Sequence, residues 1–280
     1  MNRLVLIVPV SLVGLLLAYL LMDPNAPEGP RPEDNPVPEV SGDGPLPDNA
    51  RMEQLAHTDQ IAFLKNCIRR YQREVQGYTL VMQKQERING YLNPTKERID
   101  VWFREDPHSV LMKWRDGARL AEAVLWVEGQ NDGKMLVRPN GFAARLVAGD
   151  VTPRDVDGPE ARKSGRFPIN RFGLKLSLER ALASWQAAQD RHALHTESAG
   201  LKRLAEADDR LCYHIRRIGD EPEGDGVLEQ VLYIDQETWL PVGIIARGKD
   251  GELIGEYYFR QIHLNPEFQP HQFERAALAP

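Results

Sequence analysis

From residue 51 onward the chain moves between two hydrophobic periods. In "HTDQIAFLKNCIRRYQREVQGY", Ile61, Leu64, Ile68, Tyr71 and Val75 recur at spacings of three and four, which gathers them on one face of a helix. Thr58 is placed to cap its start and Gly77 to end it. From Tyr78 the period becomes two: "YTLVMQKQERI", "ERIDVWFRE", "SVLMKWR", "AEAVLWVEG" and "KMLVRP" each read as a strand. The stretches between them, "NGYLNP", "EDPH", "RDG" and "QNDG", are turn chemistry. Connections this short predict an antiparallel meander rather than crossover units.

The alternation also assigns faces. Ile99, Val101 and Phe103 share one side of their strand, Val110, Met112 and Trp114 one side of the next, and Asp100, Arg104 and Lys113 point the other way. A sheet with one apolar side needs a cover. Residues 149–172 read as an irregular loop. The stretch "LSLERALASWQAAQDRH" then supplies a second helix, with Leu178, Ala181, Leu182 and Trp185 on one face. "LCYHIRRIG", "VLEQVLYID" and "LPVGIIARGKDGELIGEYYFRQIHL" close the chain as strands, the last a hairpin about Asp250-Gly251. The acidic residues of "LYIDQETWLPVGI" serve a turn, with Pro241 at a strand start where a missing N–H is tolerated. Trp239, in that turn, is either a plug over the sheet edge or an exposed contact. The predicted fold is α+β, a long curved antiparallel sheet with helices over its concave face.

Upstream of residue 51 the pattern is different. Arg3 precedes "LVLIVPVSLVGLLLAYLLM", nineteen residues from Leu4 to Met22 without a charge. At about 1.5 Å per residue such a helix nearly spans a hydrocarbon layer of roughly 30 Å. The following "DPNAPEGP" offers no clear small-x-small cleavage site and no Cys to lipidate. Residues 1–22 are therefore expected to form an uncleaved transmembrane anchor, with a cleaved signal peptide as the alternative. Arg3 before the run and Asp23 after it orient the rest of the chain away from the cytoplasm, in the periplasm of a bacterial inner membrane. Residues 23–50 hold eight Pro, seven acidic residues and one Arg, a composition expected to form a stiff, disordered tether. Residues 51–280 are expected to form one folded domain.

Charge then excludes one class of partner. The tether and Arg3 account for most of the net charge of −6, leaving residues 51–280 at −1, so the folded part has no basic footprint for nucleic acid. Cys67 and Cys212 are either a disulfide or two buried thiols. His192 and His195 read as solvated residues near a helix end, since no third metal ligand has a fixed place beside them. "GDEPEGDG", residues 219–226, lacks the ligand register of a calcium loop and reads as a solvated hairpin loop. Glu122 and Glu128 read as surface. No HExxH, GxSxG, P-loop, GxGxxG or CxxC is present. The sequence thus points to no catalytic residue, metal or cofactor, and the chain is read as a non-enzyme. The five Trp, with Met82, Met112 and Met135, either line a pocket for an acyl chain or fill the core between sheet and helices.

"YTLVMQKQERINGYL", "ERIDVWFREDPHSVLMKW", "EAVLWVEGQNDGKMLVRPNG" and "INRFGLKLSLERAL" resemble the bacterial domain-of-unknown-function 1571 family, seen chiefly in planctomycetes. The ending, a strand, "IDQETWLP", a hairpin through "DG" and "YYFRQIHLNPEF", is similar to the last strands of the LolA-like lipoprotein carrier and receptor superfamily. The resemblance implies an open half-barrel sheet with helices as a lid over an apolar cavity that holds lipid acyl chains. On that reading the chain is a membrane-anchored domain binding lipid or lipoprotein acyl chains. Strand alternation nominates Leu80, Met82, Val101, Phe103, Met112, Trp114 and Leu125 as its lining. The alternative is an envelope protein-interaction or stress-sensing module without a lipid ligand.

Overall fold

A computed structural model describes residue 40 and residues 42–279; the apolar run Leu4–Met22 and most of the expected tether lie outside the described residues. Two helices open the described part, α1 (Asn49–Thr58) and α2 (Gln60–Glu74). The hydrophobic spacing predicts the second of these, but Thr58 ends α1 instead of capping α2. Asp48 and Asp59 do the capping: their carboxylates accept from Arg51 N at 2.8 Å and Ala62 N at 2.9 Å, which satisfies N–H groups the helices leave open. Val75, not Gly77, closes α2, and Gly77 begins the first strand. Ahead of α1, the carbonyls of Gly42 and Gly44 accept from Arg69 and Arg73 of α2, and Val40 and Leu46 lie against the core.

The strands are β1 (Gly77–Ile88), β2 (Tyr91–Leu92), β3 (Glu97–Arg104), β4 (Ser109–Asp116), β5 (Ala121–Val127) and β6 (Met135–Pro139). The segment that reads as loop holds a short helix α3 (Phe142–Ala148), strand β7 (Thr152–Arg154) and helix α4 (Pro159–Ser164). Helix α5 (Leu174–Asp190) follows, then β8 (His195–Leu204), β9 (Arg210–Ile218), β10 (Glu229–Asp235), β11 (Pro241–Arg247) and β12 (Leu253–Leu264). Strand β8 escapes the hydrophobic pattern because it is a largely exposed edge strand, "HTESAGLKRL", with little apolar alternation to mark it.

All of these strands join one antiparallel sheet in the order β7-β6-β5-β4-β3-β1-β12-β11-β10-β9-β8, with β2 hairpinned onto β1. Two meanders therefore meet at a seam where the first long strand pairs with the last. Across that seam Met82 faces Phe259 and Lys84 faces Tyr257. The helices lie on one side. Phe63, Leu64 and Ile68 of α2 and Leu178, Leu182 and Trp185 of α5 bury against Tyr213, Ile215, Leu232 and Ile234 of β9 and β10. The other side is not bare. Phe268, Phe273 and Leu278 of the C-terminal segment cover Leu111, Leu125, Val127 and Leu136.

Cys67 and Cys212 are unbonded and buried, Cys67 among the helices and Cys212 with Val242 and Tyr258. Burial pushes both thiols up, Cys212 to about 12. Among the described residues no helix is long and apolar enough to cross a membrane, and no group of three His, Cys, Asp or Glu could hold a metal.

Candidate functional site

The helices do not cover the whole of their side of the sheet. Beyond the packed region, α5, the segment from residue 139 to 172 and the facing strands leave a cavity of about 1630 Å³. This exceeds the roughly 300–1,000 Å³ of ordinary small-molecule pockets. Its apolar wall is made by Met82, Met112, Trp114, Val124, Ile244 and Phe259. On the opposite side α5 presents Leu176, Ser177, Arg180, Ala183 and Ser184 to the cavity, positions that recur at helical spacing. Leu178, Ala181, Leu182 and Trp185 turn into the core.

One end of the floor is charged, and strand parity explains why. Tyr78, Leu80 and Met82 of β1 point toward the helices, and the same parity carries on to Lys84 and Glu86. Lys84 Nζ lies 2.7 Å from Glu86 Oε2 and 3.8 Å from Glu97 Oε2. Tyr257 donates its hydroxyl to Glu86 at 2.6 Å, and Trp114 Nε1 donates to Glu97 at 2.7 Å. Burial opposes both charges, but the partners outweigh it. Glu86 and Glu97 hold the Lys84 ammonium above its ordinary range, and Lys84 with Tyr257 and Arg166 holds the Glu86 carboxyl below its own. Lys84 and Glu86 thus each favour the other's charged form.

The acidic 219–226 loop is solvated at Asp220, Glu221 and Pro222, as its composition suggests, but turns inward at Glu223 and Asp225. Asp225 Oδ2 accepts from Arg166 at 2.6 Å with both side chains nearly buried. Burial pushes the Asp225 carboxyl up, Arg166 opposing it. Glu223 pairs with Arg217 and accepts from Ser184 Oγ. Arg166, brought in from a distant segment, and Arg217, from the adjoining strand, turn this end of the loop inward, since isolated acidic side chains do stay in water. Glu122, read as surface, likewise accepts from Arg138 and Arg145. His108, also on the cavity wall, sits edge-on to Phe103 and Trp126 with Nε2 3.2 Å from the Phe172 carbonyl. Burial lowers its pKa and keeps the ring neutral at pH 7.

The mouth is bordered by α3, held between Gly141 and Gly149, both at positive φ. Phe142 and Val147 line the opening yet are 71% and 91% exposed, and Leu146 beside them is 70% exposed. Large apolar side chains grouped on so short a helix form an uncovered lip.

Of the seven residues nominated by alternation, Met82, Met112 and Trp114 line the cavity. Leu80, Val101 and Phe103 share its face but are closed into the core beside Tyr78 and Leu174, where the Tyr78 and Phe103 rings stack at 4.6 Å. Leu125 faces the opposite side, paired with Leu111 under the C-terminal segment. Strand β5 is apolar on both faces, so "AVLWV" carries no polar phase to tell inside from outside; its cavity residue is Val124. Lys84, Glu86 and Glu97 went unnominated, although their parity with Met82 and Ile99 marked them as inward-facing.

Comparison with known proteins places the chain in a family. It belongs to the DUF1571 family, described as "Protein of unknown function (DUF1571)", whose profile matches residues 75–278. No curated protein matches it. Among solved structures, that of the Pseudomonas aeruginosa MucA/MucB complex is similar at 13% identity and a TM-score of 0.46, over 79% of this chain and 62% of that one. The chain spans less than two thirds of the MucB chains it matches. Mycobacterium tuberculosis lipoprotein LppX is similar at 12% identity and a TM-score of 0.41, over 75% of this chain and 98% of that one. A LolA superfamily protein from Nitrosomonas europaea is similar at 8% identity and a TM-score of 0.31, over 76% and 98%.

Proposed function

We propose that this member of the DUF1571 family binds lipid or lipoprotein acyl chains in the cavity between α5 and the sheet, as a non-catalytic domain tethered to the outer face of a bacterial inner membrane by residues 4–22. One observation carries the reading: a cavity of about 1630 Å³ whose wall toward the sheet is built from Met82, Met112, Trp114, Val124, Ile244 and Phe259. Apolar surface left uncovered in a folded protein is costly, and an alkyl chain placed there gains about 0.8 kcal/mol for each buried methylene. The Met side chains adapt to an irregular chain better than branched residues would. The lip of Phe142, Leu146 and Val147 offers such a chain an apolar path from a bilayer to the cavity.

The alternative, an envelope interaction module without a lipid, does not call for a cavity of this size. A photoreactive diazirine fatty acid separates the two. With the full-length chain in lipid nanodiscs, cross-links are expected on peptides containing Met82, Met112 and Val124, and an Ala183→Trp/Ala246→Trp variant that fills the cavity should lose them. Labelling confined to residues 1–22, or equal labelling of the filled variant, would sink the binding reading.

A further inference from the structure

Arg180 differs from four other cations on the cavity wall. Lys84 pairs with Glu86, Arg119 with Glu97, Arg154 with Glu160 and Arg166 with Asp225, whereas Arg180 has no carboxylate within ion-pair distance among the described residues. Its guanidinium lies over the Phe167 ring at 4.5 Å. It donates to the Arg171 carbonyl at 2.9 Å and to Ser177 Oγ at 3.3 Å. Both acceptors are neutral, and a guanidinium has five N–H donors in a planar fork suited to a carboxylate or phosphate. The stacking and the two hydrogen bonds fix that fork on the cavity-facing stripe of α5, opposite the apolar wall.

We infer that the cavity takes an anionic amphiphile, its acyl chain along the Met82–Met112–Phe259 wall and its oxyanion head, carboxylate or phosphate, on Arg180. This rests on the acyl-chain reading of the cavity and adds the head-group class to it. A neutral head would leave the cavity-facing N–H donors of this partly buried guanidinium without an anionic acceptor. Burial, with Arg171 nearby, pulls the Arg180 pKa down to about 10, Tyr257 and Glu179 opposing it only in part.

The test titrates the full-length chain in nanodiscs, with empty-nanodisc signal subtracted, using a fluorescent C12 fatty acid, its phosphate ester analogue and its primary alcohol. Wild type should bind the two anions at least tenfold more tightly than the alcohol, about 1.4 kcal/mol. Arg180→Gln should lose that tenfold preference, and Arg180→Lys should retain part of it. Unchanged thermal unfolding in the absence of ligand would establish that Arg180→Gln folds. Equal wild-type affinity for all three probes, or an undiminished preference in Arg180→Gln, overturns this inference and leaves the acyl-chain reading standing. Failure of all three to bind overturns both. Displacement of the fatty acid by inorganic phosphate at equal concentration overturns the amphiphile in favour of a free-anion site.

Discussion

Trp239 shows how one residue can be both strained and anchored. Its φ of 59° lies in the left-handed region, in the turn where Asp235 accepts from Thr238 N at 3.0 Å and from Arg210 at 2.9 Å. The indole is nevertheless buried among Phe63, Leu64 and Ile234, with the Arg70 guanidinium 4.7 Å above it. It is therefore a plug and not an exposed contact. Trp239→Ala should cost about 3–5 kcal/mol, because it empties the hole and keeps the strain. Trp239→Gly should cost about 1 kcal/mol less, since glycine adopts positive φ without the Cβ penalty. Urea unfolding of the two variants checks an order opposite to the one expected in a helix. At the charged floor, Glu86→Ala would leave Lys84 with Glu97 at 3.8 Å as its nearest carboxylate, and a loss of about 3 kcal/mol is expected. The sign with pH follows from the lowered Glu86 value. Its stabilisation is complete above the ordinary 4.5 and is lost as pH falls through the folded value. Acid titration of stability should therefore show a smaller fall below pH 4.5 in Glu86→Ala than in wild type.

At the scale of elements, the sheet's second face depends on a segment without regular strands. Residues 268–278 place Phe268, Phe273 and Leu278 over Leu111, Leu125 and Leu136, while Arg104 stands 4.7 Å over the Phe273 ring. Asn265 fastens the start of this segment to the α2–β1 corner. Its Oδ1 accepts from Gln76 N at 2.8 Å, and its Nδ2 donates to the Glu74 carbonyl at 2.7 Å. Deleting residues 266–280 should expose a contiguous apolar face on β4–β6 and produce strong binding of a hydrophobic dye, with loss of solubility. Dye binding at wild-type level would show that the segment is dispensable. The pairing that gives this cover its importance could be read only in part: the apolar run of β5 announces a strand buried on both sides, but nothing in "NPEFQPHQFERAALAP" announces which face it covers.

For the whole molecule, an acyl chain that bound only the folded state would lower that state's free energy. At a hundredfold excess over Kd, a ligand of the cavity should raise stability by about 2.7 kcal/mol. A calorimetric scan should show the rise in Tm in wild type and not in the Ala183→Trp/Ala246→Trp variant; equal shifts in both would place the ligand elsewhere.

What the sequence alone determined is local in origin. The helical spacing of α2 and α5, the period-two runs of β1 and β3–β6, the hairpin about Asp250-Gly251 and the family motifs all arise from residues within a few positions of one another, where side-chain direction repeats with the backbone. The seam between β1 and β12 joins residues 169 to 186 positions apart, and local periodicity carries no record of such a pairing. It is decided by which edges remain when the two meanders fold. The same holds for the partner of Asp225, Arg166, which arrives from α4's flank. The cavity is the least local feature of all, being the space α5 and the 139–172 segment leave over strands whose inward residues alternation can name. Whether Phe103 or Met112 borders that space depends on where a helix ends above the sheet, and only the tertiary structure fixes that.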